Sequence, residues 1–406
     1  MRRQPAETRL LAPFPRRAAA PLAAPLSALG ALLAAALLLL PLSCGGAAQP
    51  LLPGELLILD KDAGTPIAGE GDARRGALFR VSKQQDGSFA APVLYATDDR
   101  WIEPVDVLLL PDGDALVLEQ QWSNEAAPAL GAIFLVSPPS SDAPGALGAV
   151  RLLLTDARMR QPVSMTRGPD GTLWVSDRQA DPLNLGRDTG CVFAFPPDED
   201  GELPTGPATL AAAGAELLTP GALLKCSDGR LLLMDADANP RGLKTADDRP
   251  ATPGVLFEVT PQGLKDLLEP EETVSPIALI ERAPGEIYVV DANAGTEPGM
   301  IGDGVIFQLV EDEGRAWLTH KLDGALIGRA HTLVDPVGGD TLADGRLIVA
   351  DANADPLGLG EKDAGFGVYG KGKGAILAMG LGDRPTVTTL VADPAFVTPV
   401  AVRRVR

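Results

Sequence analysis

The sequence predicts an all-β protein: a six-bladed β-propeller of four-stranded antiparallel blades, with the ring closed by the C-terminal strand joining the N-terminal blade. Three observations carry this. A string of turn glycine, four apolar residues and a terminal acid recurs six times along the chain. A proline stands nine residues before five of those glycines. A spare proline-led strand, Thr398-Pro399-Val-Ala-Val-Arg-Arg-Val405, ends the chain, and the first copy lacks its own.

The copies run from Gly54 to Asp60, Gly113 to Glu119, Gly171 to Asp177, Gly229 to Asp235, Gly285 to Asp291 and Gly345 to Asp351. Their glycines are spaced 59, 58, 58, 56 and 60 residues apart, a regularity that unrelated strands would not keep. Each copy is the second strand of a blade. The first strand starts at Pro104, Pro162, Pro220, Pro276 or Pro336 and reaches a turn whose glycine supplies positive φ. After the acid comes a loop, then a third strand led by Gly76, Gly131, Gly190, Gly254, Gly304 or Gly374. A looser fourth strand follows, such as Val93-Leu-Tyr95. The second strand is apolar at nearly every position instead of alternating, which requires burial on both faces. A blade packed between two neighbours meets that requirement. On this geometry Cys191 and Cys226 lie near opposite faces, too far apart for a disulfide.

The chain has 406 residues, 45% of them apolar and 22% charged, with a net charge of −19. This composition is globular. The acidity argues against nucleic acid as a partner, because neutralising phosphates needs a basic surface. Residues 1–43 read as an export signal: five arginines against one glutamate, an apolar run from Leu22 to Leu42, then small residues. The expected organisation is therefore a signal at 1–43, a short linker at 44–50 and the propeller at 51–406. Cys44, directly after the signal, resembles the lipobox cysteine of bacterial lipoproteins, although Pro41 and Leu42 depart from that pattern. The resemblance implies lipidation at Cys44; the alternatives are an ordinary cleaved signal, or an uncleaved anchor because the apolar run nearly spans a bilayer. The expected location is then the cell envelope, periplasmic or surface, with the membrane touched only through the lipid and the protein a monomer. Without residues 1–43 the net charge is −23.

The unit Gln161-Pro-Val-Ser-Met-Thr-Arg-Gly-Pro-Asp-Gly-Thr-Leu-Trp-Val-Ser-Asp177 resembles an NHL repeat. It is also similar to the blades of SMP-30/gluconolactonase-like and strictosidine-synthase-like propellers. The resemblance covers residues 51–406 and implies the fold. It implies no one activity, because these families share a scaffold and differ in their sites.

The acids that end the second strands are followed by further oxygen-bearing residues. Asp235-Ala-Asp237-Ala-Asn239 and Asp351-Ala-Asn353-Ala-Asp355 are nearly the same string, and Asp291-Ala-Asn293 and Asp60-Lys-Asp62 are shorter versions. Two readings stand side by side. Alternate oxygen side chains can surround calcium, which takes about 6–8 oxygen ligands; the candidate ligands are Asp60, Asp177, Asp235, Asp237, Asn239, Asp291, Asn293, Asp351, Asn353 and Asp355. Alternatively, Asp and Asn at a strand end accept backbone N–H groups two residues on and anchor the loop.

The residues before the inner-strand prolines, Glu103, Gln161, Thr219, Ser275, Asp335 and Thr398, are expected at the channel mouth on the same side. Glu103, Asp106, Gln161 and His331 form the candidate ligand pocket. Trp122, in the loop after the second copy, is a candidate to face a ligand. There is no nucleophile elbow and no zinc-protease motif in the sequence. Two functions follow: a ligand- or protein-binding scaffold, with calcium in its loops, or a metal-dependent lactonase or hydrolase of the SMP-30 kind at the channel mouth. The residues do not decide whether the chain is an enzyme.

Overall fold

Burial on both faces of the second strands governs the architecture. In the computed structural model all five residues of Leu56–Asp60, Leu231–Asp235 and Leu347–Asp351 are buried. Successive side chains of a strand point to opposite faces. Accordingly Leu57 and Leu59 pack against the following blade, and Leu56 and Ile58 against the preceding one. Among the described residues, each gap between adjacent blades holds one apolar cluster. The aromatic residue of the third strand plugs the gap toward the preceding blade, as Phe134, Phe193, Phe257 and Phe307 do.

The structure describes residues 51–406 except 67–73, 123–129, 140–145, 184–188, 202, 215, 239–253, 268–274, 293–303, 313–314, 324–332, 334, 355, 358–360, 363–369, 372 and 383–384. The signal, the linker and Cys44 lie outside this set, as do Asn239, Asn293, His331 and Asp355.

Six four-stranded antiparallel sheets are present. Blade 1 takes its inner strand, Pro399–Arg404, from the C-terminus and adds Leu56–Asp60, Ala77–Val81 and Val93–Thr97. Blade 2 is Pro104–Leu109, Ala115–Trp122, Leu130–Ser137 and Ala149–Thr155; blade 3 is Pro162–Arg167, Leu173–Asp177, Cys191–Phe195 and Thr209–Ala213. Blade 4 is Pro220–Lys225, Leu231–Asp235, Val255–Thr260 and Gly263–Asp266. Blade 5 is Pro276–Ala283, Glu286–Asp291, Val305–Asp312 and Arg315–Asp323, and blade 6 is Pro336–Thr341, Leu347–Asp351, Ala375–Gly380 and Thr386–Val391. A two-stranded hairpin, Glu361–Lys362 with Gly370–Lys371, stands in the blade 6 loop. The inner strands touch in sequence around the axis, and Pro399–Arg404 touches both Pro336–Thr341 and Pro104–Leu109, so the ring is closed.

Each inner-strand proline pairs with the acid that ends the second strand, and the register shifts beside that pair. Proline has no N–H to give to the ladder, so a bulge at this position costs little. The proline ring then leans on the third strand of the preceding blade. A Cβ built on Gly374 would stand 2.2 Å from Pro399 and 2.6 Å from the Asp351 carbonyl, which explains the glycine. The turn glycines before the second strands have φ between +76° and +94°.

Cys191 and Cys226 are free and buried, in different inter-blade gaps. Trp122 departs from expectation. The second strand of blade 2 continues past Glu119 to Trp122, which pairs with Leu130 and packs on the core between blades 1 and 2. It is a ladder residue and not a loop residue.

Candidate functional site

The acid that closes each second strand has no solvent exposure in any of the six blades. A buried carboxylate must be hydrogen-bonded, and here the partners are backbone amides. Asp60 accepts from Val397 at 2.7 Å, from Thr398 at 3.0 Å and from Asp62 at 3.0 Å. Asp177 accepts from Arg160, Gln161 and Gln179 at 2.7, 3.0 and 2.9 Å. Asp235 accepts from Leu218, Thr219 and Asp237 at 2.9, 3.0 and 3.1 Å. Asp291 accepts from Ser275, and Asp351 from Asp335 and Asn353. Each acid thus holds the amide just before its own inner-strand proline, and in blades 1, 2, 3, 4 and 6 it also holds the amide two residues on. The residue after each acid donates its N–H to the carbonyl of the same pre-proline residue, as Lys61 does to Thr398 and Arg178 to Gln161. These are loop anchors of the Asx type.

Of the candidate calcium ligands, Asp60, Asp177, Asp235, Asp291 and Asp351 therefore direct oxygens to amides. Asp237 accepts the Thr219 hydroxyl at 2.5 Å, and Asn353 donates its side-chain amide to Asp335 at 2.9 Å. Among the described residues no cluster of three or more His, Cys, Asp or Glu is arranged to hold a metal.

Glu119 differs from its five aspartate counterparts. Its Oε1 accepts the amides of Glu103 and Gln121, both at 2.8 Å, while its buried Oε2 has no partner at hydrogen-bond geometry among the described residues, although the Ile102 amide acts on the carboxylate electrostatically. Burial pushes its carboxyl up to about 7, with the Glu103 charge acting in the same direction and the amide bonds against it. Burial likewise pushes Asp60, Asp177 and Asp235 up to about 6 against their amide bonds.

The four residues of the expected pocket have different fates. Glu103 and Gln161 are partly buried pre-proline residues at the mouth, their amides held by Glu119 and Asp177. The Glu103 carboxylate accepts the side-chain amide of Gln121. Asp106 sits further down the channel wall and is 5% exposed. It pairs with Arg403 at 2.6 Å and accepts the Met165 amide at 2.9 Å, so it links the inner strands of blades 1, 2 and 3. Glu103 and Asp106 thus carry separate sets of partners. His331 lies outside the described residues.

Sequence reasoning missed the residues one position after the acids. They are Lys61, Gln120, Arg178, Ala236, Ala292 and Ala352 in blade order. The Gln120 side chain reaches the Pro162 carbonyl of the next blade. The signal was present as long polar side chains in three copies against alanine in three.

No family model matches the chain, and no curated protein matches it. Similar solved structures include a protein of unknown function from Bacteroides caccae, 13% identical over 86% of this chain and 98% of that one, with a TM-score of 0.49. The PQQ-bound aldose sugar dehydrogenase from Streptomyces coelicolor is 12% identical over 78% and 97%, at 0.43. Luciferin-regenerating enzyme is 12% identical over 85% and 98%, at 0.44.

Two outcomes follow from the anchors. Asp177→Ala strands three amides and lowers stability in urea unfolding by about 3 kcal/mol or more; Asp177→Asn, which keeps one acceptor oxygen, costs less. For Glu119, a folded-state value raised from 4.5 to about 7 means the native state holds its proton longer than the unfolded chain. That contribution to stability is complete below pH 4.5 and is lost as pH rises to about 7. The aspartates act with the same sign but finish near pH 6. Glu119→Gln therefore flattens the fall of the thermal midpoint between about pH 6 and 7, and an unchanged slope would contradict the assignment.

Proposed function

We propose that this chain is an exported, envelope-anchored propeller that binds a small ligand or a protein at the channel mouth, on the face carrying the second-to-third strand loops. The observation that supports this best is the division of labour among the polar groups there. The strand-end acids hold the loops, and a ring of partly buried side chains remains around the axis: Glu103, Gln161, Thr219, Ser275, Asp335 and Thr398. Except in blade 2, where the strands themselves run on, loops of roughly 13 to 23 residues join the second and third strands at this face, while the first-to-second strand turns of blades 2 to 6, at the opposite face, span only about 2 to 5 residues. Long loops on a rigid ring make a recognition surface. Calcium belongs to this reading only as an occupant of loop positions beyond the anchors.

The alternative, a metal-dependent lactonase, places its chemistry at the same mouth through Glu103. The two readings separate in one assay. The binding reading expects lactone hydrolysis by the purified protein to stay at background and to be unchanged in Glu103→Gln. A turnover that disappears in Glu103→Gln would establish the hydrolase instead.

Anchoring is tested separately. Cys44→Ala moves the protein from the membrane fraction to the soluble envelope fraction; equal partition of both forms would rule out the lipid.

A further inference from the structure

Around the mouth, the position after each strand-end acid divides the ring into unlike halves. Blades 1, 2 and 3 carry Lys61, Gln120 and Arg178 there, and blades 4, 5 and 6 carry alanines. Gln120 is committed to the Pro162 carbonyl at 3.2 Å. Arg178 has no such commitment. It is partly buried, and its Nε is buried with no hydrogen-bond partner among the described residues.

The acids that act electrostatically on Arg178 are Asp235 and Asp237 of the next blade. Asp235 is engaged elsewhere by both oxygens, and Asp237 by one. Asp235 directs its two oxygens to the amides of Leu218, Thr219 and Asp237. Asp237 is held by the Thr219 hydroxyl. The mouth therefore contains a guanidinium whose charge is balanced nearby but whose buried Nε–H has no partner among the described residues. Withdrawing guanidinium N–H groups from water without partners is costly, and the planar fork of arginine matches a carboxylate with two parallel bonds. The second cation of this ring position, Lys61, acts on Asp335 in blade 6.

We propose that Arg178 is the anion-recognition residue of the channel mouth, and that the ligand is a small molecule bearing a carboxylate. A singly charged carboxylate is favoured over a phosphate because Asp235 and Asp237 stand close by and would repel a dianion more strongly. The inference rests on the mouth being the binding site and adds the chemical class of its ligand.

The test is thermal shift and calorimetric titration of the purified protein with acetate, the singly charged succinamate, inorganic phosphate and the neutral succinamide, at constant ionic strength. The expected result is a saturable rise in midpoint with acetate or succinamate, none with succinamide and a weaker one with phosphate. Arg178→Gln weakens carboxylate binding roughly tenfold or more, the loss expected when charge-assisted bonds are removed. Arg178→Lys retains part of it. The ligand-free midpoints of both variants establish that they fold. Lack of response to every carboxylate, a preference for phosphate, or binding that survives Arg178→Gln would overturn the assignment. An equal response to succinamide would also overturn it, while leaving the mouth a binding site. Lactone turnover dependent on Glu103 would instead overturn the binding reading itself.

Discussion

A carboxylate removed from water at the end of each blade's second strand must find donors, and the nearest ones are the amides at the entry to the inner strand. That requirement shapes the molecule. Because proline follows the captured amide in every blade, the inner strand enters the sheet at a fixed point and with a bulge. The same clamp closes the ring. Asp60, near the start of the described chain, holds the amides of Val397 and Thr398 near its end. The join between termini is therefore chemically the same as the joints within the chain.

The apolar gaps and the polar clamps depend on each other. The clamp fixes where the inner-strand proline lies, and that proline fills the space left by the glycine opening the preceding blade's third strand. Deeper in the channel, side chains of one inner strand cap amides of the next. Ser164 accepts from Leu223, Thr166 from Lys225, and Asp340 from Arg404. The Asp106–Arg403 pair ties the C-terminal strand into this wall. The channel wall is thus a structural element, its polar side chains below the rim committed to the inner strands. Lys61 and Arg178 belong to that rim because they follow an acid whose own side chain is committed to the backbone.

Much of this was legible in the sequence because it repeats. Six copies of an apolar run ending in an acid define six blades, and the spare strand at Pro399 defines the closure. Burial of the second strands followed from their lack of alternation, and the separation of Cys191 from Cys226 followed from the blade geometry. Trp122 was misplaced because only strand pairing with Leu130 reveals that blade 2 continues past its acid. Glu119 carries the same sign of charge as its five counterparts, so the sequence could not show that its longer side chain leaves one oxygen without a well-placed donor.

The sequence by itself determined the class of fold, the number of blades, the closing strand and the set of residues brought to one face, because periodicity and turn chemistry are local. Only the tertiary structure decided what those residues do. Which amides Asp177 accepts, that Asp106 pairs with Arg403, and what surrounds Arg178 all depend on contacts between segments far apart in the chain. A single sequence records the residue types that can make such contacts. The closed ring selects which of them are made.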